Sequence, residues 1–281
     1  MPSPTEISVT QLARLVGTPE SPAIVDARAR EHFDADPRLI PCALRRDHGD
    51  VAAWTGDYRG RRVVVSCQHG GKLSQGVAAW LRNGGIPAES LEGGHDAWVA
   101  DGGLLVDSRK LPARDEKLRT TWVTRARPKV DRIACPWLIR RFVDPDAVLL
   151  FVSPTEVAGV AERFQAAPFD VEGVFWSHRG ERCSFDTFLE ELGLRSAALD
   201  RLALIVRGAD TARQDLAPEA AGLLAASFGY SRMYKDDLEQ LAHAMELYDA
   251  IYRWARDATE ETHNWPATKV RPAQVPQPTR A

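Results

Sequence analysis

Cysteine is scarce in this chain. The four residues, Cys42, Cys67, Cys135 and Cys183, lie far apart and form no C-x-x-C pair, so a disulfide framework is not expected. Long apolar runs are missing as well. None approaches the ~20 residues that cross a bilayer, and no membrane partner is expected. Positive charge is not in excess: the formal net charge is −3, which removes any bulk pull toward nucleic acid or an anionic surface. The opening MPSPTEISVTQLARL has neither the basic n-region nor the apolar h-region of a signal peptide, and a cytoplasmic location is the expectation. What remains is a chain of 281 residues, 44% apolar and 27% charged, long enough for two domains.

The most informative stretch is VVVSCQHGGKLSQGVAAWLRNGG, Val63 to Gly85. A β-branched apolar run ends at Cys67, a glycine-bearing loop follows, and helical spacing resumes. This places one thiol at the C-terminal end of a buried strand, ringed by loop N–H groups and a helix start. Both favour negative charge and therefore the thiolate. A cysteine phosphatase needs an arginine where Leu73 stands, to grip phosphate through paired hydrogen bonds. A loop shorter by one residue brings Lys72 to the corresponding place. That smaller cradle suits a thiolate carrying one extra sulfur.

Around this stretch strand-like and helix-like pieces alternate over residues 1–105. SVTQLARLV reads as a helix capped by Ser8, PAIVDAR as a buried strand, VAAWTGDY as a short helix and RRVVVSC as the central strand. LSQGVAAWLRNGG is a helix stopped by Gly84 and Gly85, IPAESLEGG a strand and turn, HDAWVADGG a closing helix. Such alternation predicts a mainly parallel sheet covered on both faces. Residues 106–119, charged and aperiodic, are the expected linker. Over 120–257, WVTRARP, AVLLFV and VEGVFWSH read as strands. DRIACPWLIRRFV and TEVAGVAERFQAA read as helices, with Pro136 in the first of them. CSFDTFLEELG, SAALDRLALIVRGAD, PEAAGLLAASFGY and DDLEQLAHAMELYDAIYRWARDA make the remainder helical. Residues 258–281, proline-rich and without periodicity, are an expected disordered tail.

Four segments carry a resemblance to the rhodanese family of sulfurtransferases. They are IVDARAREHF, with Asp26 and Arg28 in paired positions and Phe33 behind them; RLIPCALRR; SCQHGGKLSQGVAAWLRNGG; and LEGGHDAW. The second usually reads isoleucine, proline, glycine, alanine in that family. The resemblance spans Ser8 to Gly103. It implies a thiosulfate or other sulfane-sulfur donor and a Cys67 persulfide held by the loop from Gln68 through His69, Gly70 and Gly71 to Lys72. Cyanide, a thiol or a protein then accepts the sulfur, with no cofactor. Lys72 stands where the family has arginine; it either holds the anionic donor or is a solvated lysine. His69 either donates to substrate or faces solvent. Asp26 and Arg28 read as an ion pair supporting the loop. An inactive rhodanese serving as a binding module is the alternative for this half.

TWVTRARPKVDRIACPWLIRRFVDPDAVLLFV, FWSHRGERCSFDTFLEELGL, LALIVRGADTARQD and MELYDAIYRW resemble the C-terminal domain of ChrB-type chromate-resistance proteins, over Thr121 to Trp254. The fold class that follows is α/β: a rhodanese-like parallel sheet with helices on both faces. After it comes an α/β or α+β domain with a helical C-terminal half. Within that second domain His178, Cys183 and Asp186 are closely spaced, and Asp210 is a further oxygen ligand with Asp215 near it. Together they are a candidate set for zinc or iron, against the plainer reading of a helix start with a buried Cys183. Arg207 stands where a histidine is frequent in that family. Asp131 reads as a helix cap with Cys135 packed inside. Arg125, Arg127, Lys129, Arg132, Arg140 and Arg141 form either an oxyanion cluster suited to chromate or a solvated basic face. Glu239, His243 and Glu246 fall opposite the apolar stripe of Leu238, Leu241, Met245, Tyr248 and Tyr252, and read as solvated. The leading expectation is a sulfurtransferase acting in chromate resistance. The alternatives are a chromate- or metal-responsive regulatory protein and a metalloenzyme centred on the second domain. No dense basic recognition helix is present, so DNA is not an expected partner.

Overall fold

The computed structural model describes residues 5–261; the expected tail lies outside the described residues from 262 onward. The chain opens with β1 (Glu6–Ile7) and α1 (Val9–Leu15). Ser8 caps α1 in a reciprocal capping box: Gln11 N–H donates to Ser8 Oγ, and Ser8 N–H donates to Gln11 Oε1, which satisfies two amides that the first helical turn leaves open. Then come β2 (Ala23–Asp26), α2 (Arg30–Ala35), β3 (Arg38–Leu39), β4 (Ala43–Arg45), α3 (Val51–Trp54), β5 (Val63–Ser66), α4 (Lys72–Asn83), β6 (Ala88–Leu91) and α5 (Gly94–Ala100).

Five of the strands form one sheet in the order β1-β6-β5-β2-β4, every pair parallel. Period-two alternation sends Val25, Val63 and Val65 to one face, against Trp54, Val77 and Leu81. Ile24, Val64 and Leu91 go to the other, against Leu12, Val16 and Trp98. Helices therefore cover both faces, and β5 carries apolar residues at three consecutive positions: Val63, Val64 and Val65 are all fully buried. That is why the VVVS run was legible as the central strand.

The expected linker is tied down on both sides. Its first residues form β7 (Val106–Asp107), antiparallel to β3. The Val106 side chain joins the core of the second half, and Lys110 bonds Glu191 at 2.7 Å. The second half contains β8 (Thr121–Arg125), α6 (Asp131–Leu138), β9 (Val148–Val152), α7 (Val157–Phe164) and β10 (Ala167–Pro168). These strands make a parallel sheet in the order β10-β8-β9. Four helices follow: α8 (Ser184–Leu192), α9 (Ala197–Asp210), α10 (Ala220–Met233) and α11 (Asp237–Asp257).

Two expectations need correction here. VEGVFWSH is not a strand. The third strand is the short β10 upstream of it, and residues 171–178 form turns with a single bridge from Trp176 to Phe169. Their apolar residues serve an aromatic cluster instead, with Trp176 against Trp122 and Phe188. DRIACPWLIRRFV is not one uniform α-helix either. Pro136 sits inside α6, where it can donate no amide to Arg132, and the chain widens into a π-helical turn over Ile139–Val143. Trp137, from the same segment, is fully buried among Phe142, Phe185, Tyr248 and Tyr252.

The halves interlock. Gly17 has φ +79°, and a Cβ there would fall 2.4 Å from the Phe142 ring, so only glycine admits that ring. Cys42, itself at φ +63°, donates its N–H to Phe142 O at 3.0 Å. Arg61 reaches Asp146 at 3.1 Å.

Candidate functional site

Cys67 follows β5 at the C-terminal edge of the five-stranded sheet, in its central strand. It is 4% exposed, and its Sγ lies 3.1 Å from Ser74 Oγ. Among the described residues, none of the N–H groups from Gln68 to Lys72 donates to another group of the chain. Lys72 opens α4, a helix of 12 residues whose N-cap, Gly71, offers no side-chain cap. The loop amides that follow Cys67 thus keep their hydrogen-bonding capacity, and the first turn of α4 reaches the sulfur through Ser74.

The loop is held in place by its outward-facing groups. Cys67 O accepts the His95 N–H at 2.8 Å, and Gln68 O accepts the Asp96 N–H at 3.0 Å. The Asp96 carboxylate accepts from Gln68 Nε2 and meets His69 Nδ1, each at 2.5 Å. The His69 ring is largely exposed to solvent and is at the same time paired with Asp96. Gly70 and Gly94 pack backbone to backbone. A Cβ on Gly94 would fall 2.2 Å from Cys67 O, and one on Gly70 would fall 2.6 Å from Gly93 N. Both have positive φ, so glycine is required twice over. Lys72 is exposed and forms no ion pair among the described residues.

Asp26 and Arg28 form a buried pair one strand away. Arg28 Nη2 lies 2.6 Å from Asp26 Oδ2 with the arginine side chain fully buried. The same guanidinium donates to Asp36 O and Arg38 O. The Asp36 carboxylate is held well below the usual range by the Arg38 guanidinium and lies 3.4 Å from His95 Nε2. Asp26 is in register with Ser66, the residue before Cys67. The pair thus braces the sheet edge that carries the loop and does not touch the sulfur.

The second half gathers a different set. His178 Nε2 lies 3.4 Å from Asp131 Oδ2, 3.4 Å from Asp170 Oδ1 and 3.2 Å from Asp210 Oδ2. Asp131 is fully buried and Asp170 nearly so. Burial pushes the Asp131 carboxyl up, while its hydrogen bond to Asp131 first, then those to Asp170 and Asp210, pushes the His178 imidazole up. Asp131 Oδ2 also accepts the Ser184 N–H, whereas Oδ1 has no hydrogen-bond partner among the described residues. Asp170 accepts from Ser184 Oγ and pairs with Arg125 and Arg132. The backbone around the cluster is strained: Val130, immediately before Asp131, has φ +38°, and Asp170 has φ +52°. Val130 is pinned by both its polar groups, its N–H to Ser227 Oγ and its carbonyl accepting from Tyr248.

This changes the expected metal set. His178 and Asp210 come together as anticipated, but Asp186 is not available. Its carboxylate accepts from Arg207 twice, at 3.0 Å each, and from Cys183 N–H. The arginine standing in a position where histidine is frequent thus sequesters it. Burial holds the Cys183 thiol well above its ordinary pKa, which disfavours a thiolate ligand. Asp215 pairs with Arg213 at the surface. Asp131, read as a helix cap, belongs to the cluster, and Asp170 was missed. No periodic pattern flags Asp170; it reaches the site because Phe169 N–H bonds Val123 O beside β8. The basic residues disperse. Arg125 and Arg132 reach Asp170, Arg127 donates to carbonyls at the end of α10, and Arg141 pairs with Asp249. Glu239, His243 and Glu246 are exposed as expected, but Leu238 is exposed too.

Residues 122–255 match the family described as ChrB, C-terminal domain, as the sequence resemblance implied. Protein ChrB of Cupriavidus metallidurans is 34% identical over 145 residues, which covers 50% of this chain and 43% of that protein. The chain thus spans less than half the length of this curated relative. Solved structures similar to the N-terminal part include one from Staphylococcus saprophyticus subsp. saprophyticus (24% identity, TM-score 0.32, 35% of this chain and 97% of the other). A rhodanese-like domain protein from Staphylococcus aureus is 24% identical at a TM-score of 0.31, over 34% of this chain and 90% of that one. No helix among the described residues is long and apolar enough to cross a membrane.

Proposed function

We propose that Cys67 is the nucleophile of a sulfurtransferase acting in chromate resistance. The Cys67 thiolate attacks the outer sulfur of thiosulfate. A sulfur–sulfur bond forms at Cys67, the bond to the sulfonate sulfur breaks, and sulfite leaves with the electron pair. An acceptor thiolate or cyanide then attacks the terminal sulfur, takes it as persulfide or thiocyanate, and restores the Cys67 thiolate. No cofactor enters this cycle.

One observation carries the reading. A single thiol stands at the C-terminal end of the central parallel strand, followed by five consecutive residues whose amides are not bonded to any other group among the described residues. Those amides and the start of α4 favour an anionic sulfur. Lys72, exposed at the start of α4, supplies a cation to hold an anionic donor. The small exposure of Cys67 favours a compact donor over a bulky one. Thiosulfate and chromate are both compact dianions, which makes a joint role of the two halves chemically reasonable.

Mass spectrometry of the intact protein after thiosulfate exposure tests the reading. The wild type gains the mass of one sulfur atom and loses it to cyanide with release of thiocyanate. The Cys67→Ser variant gains nothing. A wild type that stays unmodified, or a variant that gains the same mass, overturns it.

A further inference from the structure

The His178 cluster takes no part in sulfur transfer, yet it is built at considerable cost. Two carboxylates are withdrawn from water, a β-branched residue is held at positive φ beside one of them, and a buried carboxylate oxygen is left without a partner. Groups of this kind are normally satisfied, and strain persists only where surroundings impose it. A protonated imidazole balances some of the negative charge but does not satisfy the geometry. Nε2 carries one hydrogen and faces three carboxylates, all at 3.2 to 3.4 Å. Charge-assisted N–H···O bonds run near ~2.8 Å, so none of the three is a short, committed hydrogen bond.

Those spacings fit another occupant. Four ligand atoms arranged tetrahedrally about an ion at ~2.1 Å are separated by roughly 3.4 Å. The ligand atoms of Asp131, Asp170 and His178 all lie within 4.8 Å of one another; Asp210 Oδ2 is 3.2 Å from the same nitrogen but lies outside that mutual set, so it joins the ion by a side-chain rotation from α9. We propose that Asp131, Asp170, Asp210 and His178 bind a divalent first-row transition cation. His178 Nε2 and one oxygen from each carboxylate act as ligands, and the Nε2 proton leaves to solvent as the ion enters. Three carboxylates and one imidazole make a hard-to-borderline donor set that suits manganese, iron or zinc rather than copper(I). Ser184 orients two of the ligands, its N–H on Asp131 and its hydroxyl on Asp170, as outer groups do at metal sites. His178 is 40% exposed, which leaves an entry path.

The test uses untagged full-length protein stripped with chelator and titrated separately with Mn2+ (electron paramagnetic resonance) and Zn2+ (competition with a chromophoric chelator). One ion per chain is expected. His178→Ala and Asp210→Asn, both at partly exposed positions, are expected to weaken binding by about tenfold or more with an unchanged circular dichroism spectrum. Asp131→Asn serves as a third variant if it folds. In wild type loaded with Mn2+, electron spin-echo modulation should show histidine nitrogen coupling that His178→Ala lacks. Cys67→Ser should bind like the wild type. The proposal is overturned if the wild type takes up neither ion at one equivalent, or if His178→Ala and Asp210→Asn bind as tightly as the wild type.

Discussion

The cysteine loop and the histidine cluster are built by opposite means. Around Cys67 the groups that count are backbone: amides of one contiguous loop, a helix start, and two glycines whose missing Cβ atoms let the chain fold onto itself. Around His178 they are side chains from four separate segments, of which Asp131 and Asp170 are withdrawn from water and stand beside or on backbone at positive φ. A backbone site should tolerate changes of side chain but not the addition of one methyl group. A side-chain site should behave the other way round.

The largest expected effect separates the two completely. Cys67→Ser should abolish sulfur transfer in a thiocyanate-release assay and leave thermal unfolding close to that of the wild type; residual transfer would move the nucleophile elsewhere. Next comes the brace. Arg28→Ala leaves Asp26 buried and uncompensated, with an expected loss of about 3–5 kcal/mol in denaturant unfolding. That is enough to lower activity through instability alone. Gly94→Ala follows. The added Cβ would fall 2.2 Å from Cys67 O at a backbone φ of +61°, and about 2–4 kcal/mol of destabilisation is expected, with sulfur transfer reduced more than stability. An alanine accepted there without cost would break the backbone account of the loop. Lys72→Ala should raise KM for thiosulfate several-fold with little change in kcat, and Lys72→Arg should restore it.

The mildest test is pH. Burial, and then the Arg28 charge, hold the His95 imidazole below its ordinary pKa. The unfolded chain therefore binds a proton at His95 that the folded chain refuses. Stability from this group is full above about pH 6.5 and is lost as pH falls below it toward the depressed folded value. His95→Gln should lose less stability than the wild type between neutral and mildly acid pH, measured by Tm at each pH. Equal losses would show that burial of the His95 imidazole does not set this pH dependence.

Legibility divides along the same line. The cysteine loop could be read from the sequence because everything it needs is contiguous: an apolar run for a strand buried on both faces, glycines for positive φ, then helical spacing. The β–α alternation of the first half was legible for the same local reasons. The histidine cluster was only half readable. Asp131 carries the signature of a helix start, and that is also its position in α6; nothing local tells that its carboxylate turns inward. Asp170 stands in no periodic element and is delivered by strand pairing. Asp186 looked like a ligand because it follows Cys183, and Arg207, 21 residues on, took it away. VEGVFWSH misled because aromatic residues that fill a cluster read like a strand.

The ring of Phe142 lying over the bare α-carbon of Gly17 has a practical corollary. Gly17 and Phe142 pack directly against each other across the halves, so cutting the chain near residue 110 would uncover part of that ring on one fragment and the bare backbone beneath it on the other. Fragments made to assign the two chemistries separately would report the damage of the cut. Single substitutions in the intact polypeptide are the sounder dissection.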